Sequence, residues 1–172
     1  HNIPDTFYQR SLDKYMPQSI PAACVIAQEH TSTIELFDLT MQQADAGREL
    51  IMWSETAVEV SSKEMQEELQ SNASTTAQSY GIYLGITYLS TFRSHDRNMF
   101  ELYGPNGDKL LSHQKHRPVP GVEDNVKAGK SALQTAETKW GKVAAGICFD
   151  LDFPDYILTV RAQCVGPSER GL

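Results

Sequence analysis

Gly146-Ile147-Cys148-Phe149-Asp150-Leu151-Asp152-Phe153-Pro154 carries more information than any other stretch of this 172-residue chain. The residues that lead into it, Val143 to Ile147, are apolar and β-prone, and Pro154 stops regular pairing soon after, which places Cys148 at the C-terminal end of a strand. Open α/β proteins gather their functional groups at that end. Standing alone, a cysteine in such a place reads as a small buried hydrophobe. Two segments upstream change that reading.

Leu50-Ile51-Met52-Trp53-Ser54-Glu55 is an apolar strand that ends abruptly on a carboxylate. Further on, His113-Gln114-Lys115-His116-Arg117-Pro118-Val119-Pro120-Gly121-Val122-Glu123 reads as a hairpin arm that delivers a lysine and then breaks at two prolines and a glycine. A glutamate, a lysine and a cysteine, each closing a strand-like run and in that order, resemble the nitrilase (carbon–nitrogen hydrolase) superfamily. Its signature is a strand ending in Trp-Pro-Glu or a variant, then Lys before a Pro-Gly turn and a second Glu, then Ile-Cys-Tyr/Phe-Asp/Glu ahead of Phe-Pro. The stretch Lys115 to Glu123, with Pro118-Val119-Pro120-Gly121 inside it, is most similar to the branch that holds the apolipoprotein N-acyltransferases. The resemblance covers residues 22–156, with Ser54 where proline is commoner and Pro118 where many relatives carry leucine.

The resemblance implies a role for each residue. Cys148 is the nucleophile, and a thiol needs a base to become thiolate, which Glu55 supplies. Attack on an amide, nitrile or ester-like carbon builds negative charge on the substrate heteroatom; Lys115 and the backbone N–H of Phe149 stabilise it. Glu123 holds the lysine and assists proton transfer. The implied product is a thioester acyl-enzyme, resolved by water in a hydrolase or by an amine in an acyltransferase. Taken singly, Glu55 reads as a solvated loop carboxylate, Lys115 as a surface hairpin cation, and Glu123 as part of an acidic turn with Asp124. Their order and strand context together outweigh those separate readings.

Composition fits one globular α/β domain, since 172 residues with 40% apolar content can bury a core. Nothing approaches the run of about eighteen apolar residues that a membrane-spanning helix needs. A net charge of −7 with scattered Lys and Arg argues against a nucleic-acid partner. Three widely separated cysteines give neither a disulfide framework nor zinc spacing; Cys24, in the apolar run Ala22 to Ala27, is expected in the core, and Cys164 falls in the tail. His113 and His116, three apart on an extended arm, cannot converge on one ion. No P-loop or dinucleotide fingerprint is present, and no cofactor is expected.

The order of elements follows from periodicity and breakers. Residues 22–28 read as a strand, and Ile34, Phe37, Met41 and Ala44 recur at helical spacing before Gly47. A second helix opens on Ser61-Ser62-Lys63-Glu64 as a capping box, turns Met65, Leu69, Ala73, Thr76 and Tyr80 inward, and stops at Gly81. Ile82 to Leu89 follows as a strand. Met99–Tyr103 and Lys109–Ser112 form a hairpin around Gly104-Pro105-Asn106-Gly107-Asp108. The polar loop from Val122 to Lys130 is expected to frame a pocket mouth.

The family fold so implied is a four-layer α-β-β-α sandwich. In it the cysteine strand is followed by a helix, an apolar strand ending in Pro-Ser and further elements. Here Tyr156 to Arg161 begins such a helix, whereas Ala162 to Leu172 shows no such strand. The expectation is a single partial domain over 1–172, with a lead-in over 1–21 and an atypical tail over 157–172, incomplete at the C-terminus and with open sheet edges. The first residue is His rather than Met and no signal-peptide pattern opens the chain, which points to a fragment, a processed product or a partial gene model. Such a chain is expected to be aggregation-prone, and a non-catalytic binding remnant stands beside the enzyme as an alternative. Expected partners are a small amide, nitrile or acyl donor, with a lipid or lipoprotein substrate in the acyltransferase case, and a second copy of the chain. The Asn72-Ala73-Ser74 sequon is compatible with an extracytosolic domain of a membrane protein; otherwise a cytoplasmic location is expected.

Overall fold

The structure is a computed structural model that describes residues 23–26 and 32–159; the lead-in before Ala23, residues 27–31 and the tail from Val160, with Cys164, lie outside the described residues. Its centre is built by two short aliphatic and aromatic runs, β2 (Leu50–Trp53) and β4 (Tyr83–Ser90), buried along nearly their whole length. Strands covered on both faces take such continuous apolar sequences, and the pairing of β2 with β4 is parallel. Strands β1 (Ala23–Ile26), β2, β4, β5 (Arg97–Tyr103) and β6 (Lys109–Gln114) stand in that order in a six-stranded sheet. The sixth strand, β3 (Val58–Val60), pairs with the far end of β4, beyond β2.

Side chains alternate between the two faces of this sheet, and each face has its own core. On one face Ile51, Trp53, Leu84, Ile86 and Tyr88 meet helices α1 (Thr33–Asp45) and α2 (Lys63–Tyr80). On the other, Leu50, Tyr83, Phe100, Leu102 and Leu111 meet a second, two-stranded sheet, β7 (Thr135–Thr138) and β8 (Gly141–Ala144), through Ala136, Trp140 and Val143. The Tyr83 and Trp140 rings lie 5.0 Å apart, and the Tyr83 hydroxyl accepts the Lys139 N–H at 3.0 Å. Helices, main sheet and hairpin are three of the four expected layers. Buried Glu101 ties α2 to the main sheet: it accepts from Gln70, Tyr88, Tyr103 and Lys109. Burial and the Glu101 charge push both tyrosines well above their ordinary pKa.

Local sequence sets the helix ends. Ser32 and Glu35 form a reciprocal capping box on α1. α2 stops at Gly81, whose left-handed backbone (φ 63°) suits a residue without Cβ.

Several expectations shift at this level. Of the α1 stripe, Phe37 and Ala44 do pack against the core, but Ile34 is exposed and the fully buried positions are Leu36 and Thr40. The reason is polar: the Trp53 indole N–H donates to Thr40 Oγ1 at 2.9 Å, and Thr40 in turn donates to the Leu36 carbonyl at 2.7 Å. On α2 the buried face is Leu69, Ala73 and Ala77, while Met65 and Tyr80 are exposed. Ser62 caps α2 through the Met65 N–H without the reciprocal box, because the third helical position holds Met65. Cys24 is half-buried, at the margin of the core. The paired part of the strand before Cys148 is Gly141–Ala144, so Ala145 to Ile147 carry the chain onward outside the described ladders. The three-residue β3 and the polar strand β7 had no periodic signal to announce them.

Candidate active site

The chain leaves the main sheet between β2 and β3, and Glu55 sits on that detour. Strand β2 pairs with Tyr83 to Gly85, and β3 with Tyr88 to Ser90, so both lie along one side of β4 with a gap between them. Thr87 bridges the gap, accepting the Ala57 N–H at 3.2 Å and donating to the Ser54 carbonyl. The Ser54 N–H continues the sheet by donating to Ile26 O at 2.9 Å. Thr56 takes a positive φ of 53°, and Glu55 emerges at the C-terminal end of the parallel strands.

Lys115 follows directly on β6 and lies opposite Asn98 on β5, to whose carbonyl its N–H donates at 2.9 Å. Its side chain is 1% exposed, and burying an ammonium demands partners. Two carboxylates supply them: Glu55 Oε1 at 2.8 Å and Glu123 Oε2 at 2.6 Å. The Asn98 side-chain amide joins the same group, donating to Glu55 Oε1 at 2.7 Å and Glu123 Oε1 at 3.2 Å. Glu123 Oε2 also accepts the Val119 N–H at 2.8 Å, so the Pro118–Gly121 turn folds the second glutamate back onto the lysine. Burial works against the charge on Lys115, but its hydrogen bonds to Glu123 and Glu55 and their negative charges hold its pKa above the usual lysine value. Burial likewise opposes ionisation of Glu123, and the Lys115, Val119 and Asn98 hydrogen bonds overcome it and hold its carboxyl below the usual range.

Cys148 opens a short 3-10 helix, Cys148–Asp152, with a strained positive φ of 45° and an exposed side chain. Burial on its inner side and the negative charge of Glu55 push the thiol above its ordinary pKa, although the Lys115 charge pulls the other way. Glu55 as an acceptor for the thiol proton adds to the rise, and the Phe149 N–H works against it. A thiol raised in this way reacts as a nucleophile once a neighbouring group takes its proton. Glu123 has both oxygens occupied by donors; Glu55 receives both Lys115 and Asn98 on Oε1, and neither of them donates to its Oε2.

Asp150, two residues after Cys148, locks the cysteine turn to the lysine arm. It is fully buried and accepts from the Ile147, His116 and Arg117 N–H groups at 3.1, 2.9 and 2.6 Å and pairs with His113 Nε2 at 2.8 Å. Burial alone would raise its pKa, but the hydrogen bonds with His113, Ile147 and Arg117 hold it below the usual aspartate value. The arm is pinned further by His116, stacked on Tyr156 at 4.2 Å, and by Arg117, 4.7 Å above the Phe153 ring. Gly129 donates to the Lys115 carbonyl at 2.8 Å, and a Cβ there would collide with the Gln114 carbonyl.

The structure thus gathers Glu55, Lys115 and Glu123 into one hydrogen-bonded cluster and sets Cys148, with the Phe149 N–H, within its electrostatic reach. Sequence reading missed Asn98, Thr87 and the His113–Asp150 pair. His113 was within reach, because it lies two residues before Lys115 on a strand and shares its face. Asn98 becomes visible only through the β5–β6 register. The loop from Val122 to Lys130 contributes Glu123 to the cluster, while Val122 is exposed. Among the described residues no group of His, Cys, Asp and Glu is arranged to hold a metal ion, and no helix is long and apolar enough to cross a membrane.

No family sequence model and no curated protein sequence matches the chain. Solved structures do match, and they define the fold as that of nitrilase-superfamily amidases. The amidase NitN from Nesterenkonia sp. AN1 is similar at a TM-score of 0.67 and 17% identity, over 82% of this chain and 63% of that one. A second structure of an amidase from Nesterenkonia sp. gives 0.67 and 20% over 82% and 61%. A variant of the AN1 amidase that carries acrylamide added to its active-site cysteine gives 0.67 and 17% over 81% and 62%. The chain spans about three-fifths of the length of the solved structures it matches.

Proposed function

We propose that this protein is a thiol-dependent carbon–nitrogen hydrolase acting on small amides through a covalent thioester, with Cys148, Glu55, Lys115 and Glu123 as its catalytic residues. The observation that carries the reading is a lysine ammonium buried between two carboxylates beside an exposed cysteine on a strained turn. An arrangement that costly to bury has a ready use in acyl chemistry. The Cys148 sulfur attacks the amide carbon, its proton passes to Glu55, and an S–C bond forms. Charge that develops on the carbonyl oxygen is met by the Lys115 ammonium and the Phe149 N–H. When the tetrahedral intermediate collapses, the C–N bond breaks and Glu55 returns the proton to the departing amine. Water, deprotonated by the same carboxylate, then attacks the thioester, releases the acid and restores the thiol. Glu123 holds Lys115 charged and in place throughout.

A small-amide substrate is favoured by the neighbours in fold, whose structures hold butyramide and acrylamide. N-acyl transfer is the finer alternative within the same chemistry: an amine replaces water in the second step, and a lipid or lipoprotein supplies the acyl group. It rests on the likeness of Lys115 to Glu123 to the acyltransferase branch. A nitrile substrate, a homo-oligomeric state and a non-catalytic binding role are weaker readings, the last because it gives the buried Lys115 cluster no task. The test is ammonia release from butyramide, with and without hydroxylamine. Release that is lost in Cys148→Ala supports the hydrolase; hydroxamate formed with hydroxylamine marks the thioester that both readings share, and acyl transfer to a peptide N-terminal amine in preference to water supports transfer. No release from a panel of short amides, together with no Cys148 adduct, overturns the reading.

A further inference from the structure

Asn98 sits fully buried in a strand whose other inward residues, Phe100 and Leu102, are apolar. Burying an amide there is unfavourable unless both its ends are hydrogen-bonded, and only one is: Oδ1 has no partner. Rotating the amide to satisfy that oxygen would aim it at Glu55 and Glu123, two carboxylates to which Nδ2 now donates at 2.7 and 3.2 Å. The two anions therefore fix the amide's orientation, and the unsatisfied carbonyl is the consequence. A local defect of this kind, kept beside a buried ion cluster, marks a residue selected for what its donors do.

We infer that Asn98 is a positioning residue for the proposed reaction, whose amide, with Lys115, claims Oε1 of Glu55 and so leaves Oε2 as the oxygen that takes the Cys148 proton. Lys115 reaches that Oε1 at 2.8 Å, so one oxygen of the base accepts twice while the other accepts from neither donor. Residue type matters as much as place. A cation at position 98 would pair with Glu55 and blunt its basicity, and an anion would repel both glutamates; a neutral double donor restrains two carboxylates without changing the charge of the cluster. The charged or titratable groups that face it are Glu55, Glu123 and Lys115, with Cys148 beyond Glu55.

The inference rests on the proposed hydrolase, and its test reads thiol reactivity separately from turnover. In Asn98→Ala and in the nearly isosteric Asn98→Asp, kcat for butyramide is expected to fall about 10- to 100-fold with KM within about threefold, the loss typical of a misplaced catalytic group. Alkylation of Cys148 by iodoacetamide slows in parallel, and in Asn98→Asp the acid limb of both pH profiles moves upward, because three carboxylates then share one ammonium. A residue that only fills space would lower the melting temperature while the folded protein reacts at parental rates, and that result overturns the inference. Failure of both variants to give a cooperative melt overturns it equally, by assigning Asn98 to the core. If the parent protein releases no ammonia yet both variants still slow Cys148 alkylation, the hydrolase reading fails and the placement of Asn98 stands.

Discussion

Glu55 and Glu123 share one ammonium, yet their surroundings divide the work between them. Glu123 accepts from Lys115, Asn98 and the Val119 N–H over both its oxygens, which fits the holding role proposed for it; Glu55 takes Lys115 and Asn98 on Oε1 alone, which fits the proposed base. Glu55→Gln keeps the shape and removes the proposed base, so the rate of Cys148 acylation should drop by about 10²–10⁴, read by stopped-flow with an activated ester. Lys115→Met removes the charge proposed to meet the developing oxyanion, and kcat should fall steeply while KM changes little. Parental activity in either variant contradicts the role given to that residue. Iodoacetamide on folded protein should label exposed Cys148 ahead of half-buried Cys24, whose thiol is raised by burial above its ordinary pKa despite Arg48. Peptide mapping decides this, and preferential labelling of Cys24 would return Cys148 to an inert thiol.

At the scale of elements, each candidate residue owes its place to a break in a strand. Glu55 rides the gap between β2 and β3, Lys115 follows β6, and Cys148 begins the turn after the β8 segment. Such breaks leave local traces in sequence: an apolar run stopping on Glu55, prolines after Lys115, and Phe153-Pro154 after Cys148. Strand positions and the order of the three residues were legible for that reason. Asn98 and Thr87 were not, because a polar residue within a strand gains its meaning from the strand beside it. The centre of the α1 face was missed for a related reason, since Thr40 is drawn inward by the Trp53 indole, a partner that periodicity cannot supply. The arm that carries Lys115 gives an element-scale prediction. Gly129→Ala would set a Cβ against the Gln114 carbonyl and unseat the loop that carries Glu123, so activity should fall about 10-fold or more while helix content by circular dichroism stays unchanged. Full activity in that variant would show that the loop tolerates displacement.

For the whole molecule, the same buried charges that form the site set the pH range over which it holds together. Asp150 and Glu123 have pKa values depressed by folding, so their contribution is complete above the ordinary carboxylate range and is lost as pH falls through the lowered values. Lys115 has a raised pKa, so its contribution is complete below about pH 10 and is lost only as pH climbs through that raised value. Thermal melts should therefore be flat across neutral pH and fall below about pH 4, and Asp150→Asn should remove part of the acid sensitivity along with stability. An acid limb unchanged by that substitution would place the sensitivity elsewhere. The central claim, that Cys148 carries the acyl group and Glu55 activates it, is tested most directly by acid-quenched mass spectrometry of the protein mixed with p-nitrophenyl butyrate. A single butyryl group on the Cys148 peptide, released by hydroxylamine and formed far more slowly in Glu55→Gln, is the predicted result; a butyryl group on Cys24 or on lysines, or one that forms on Cys148 at the parental rate in Glu55→Gln, would contradict it.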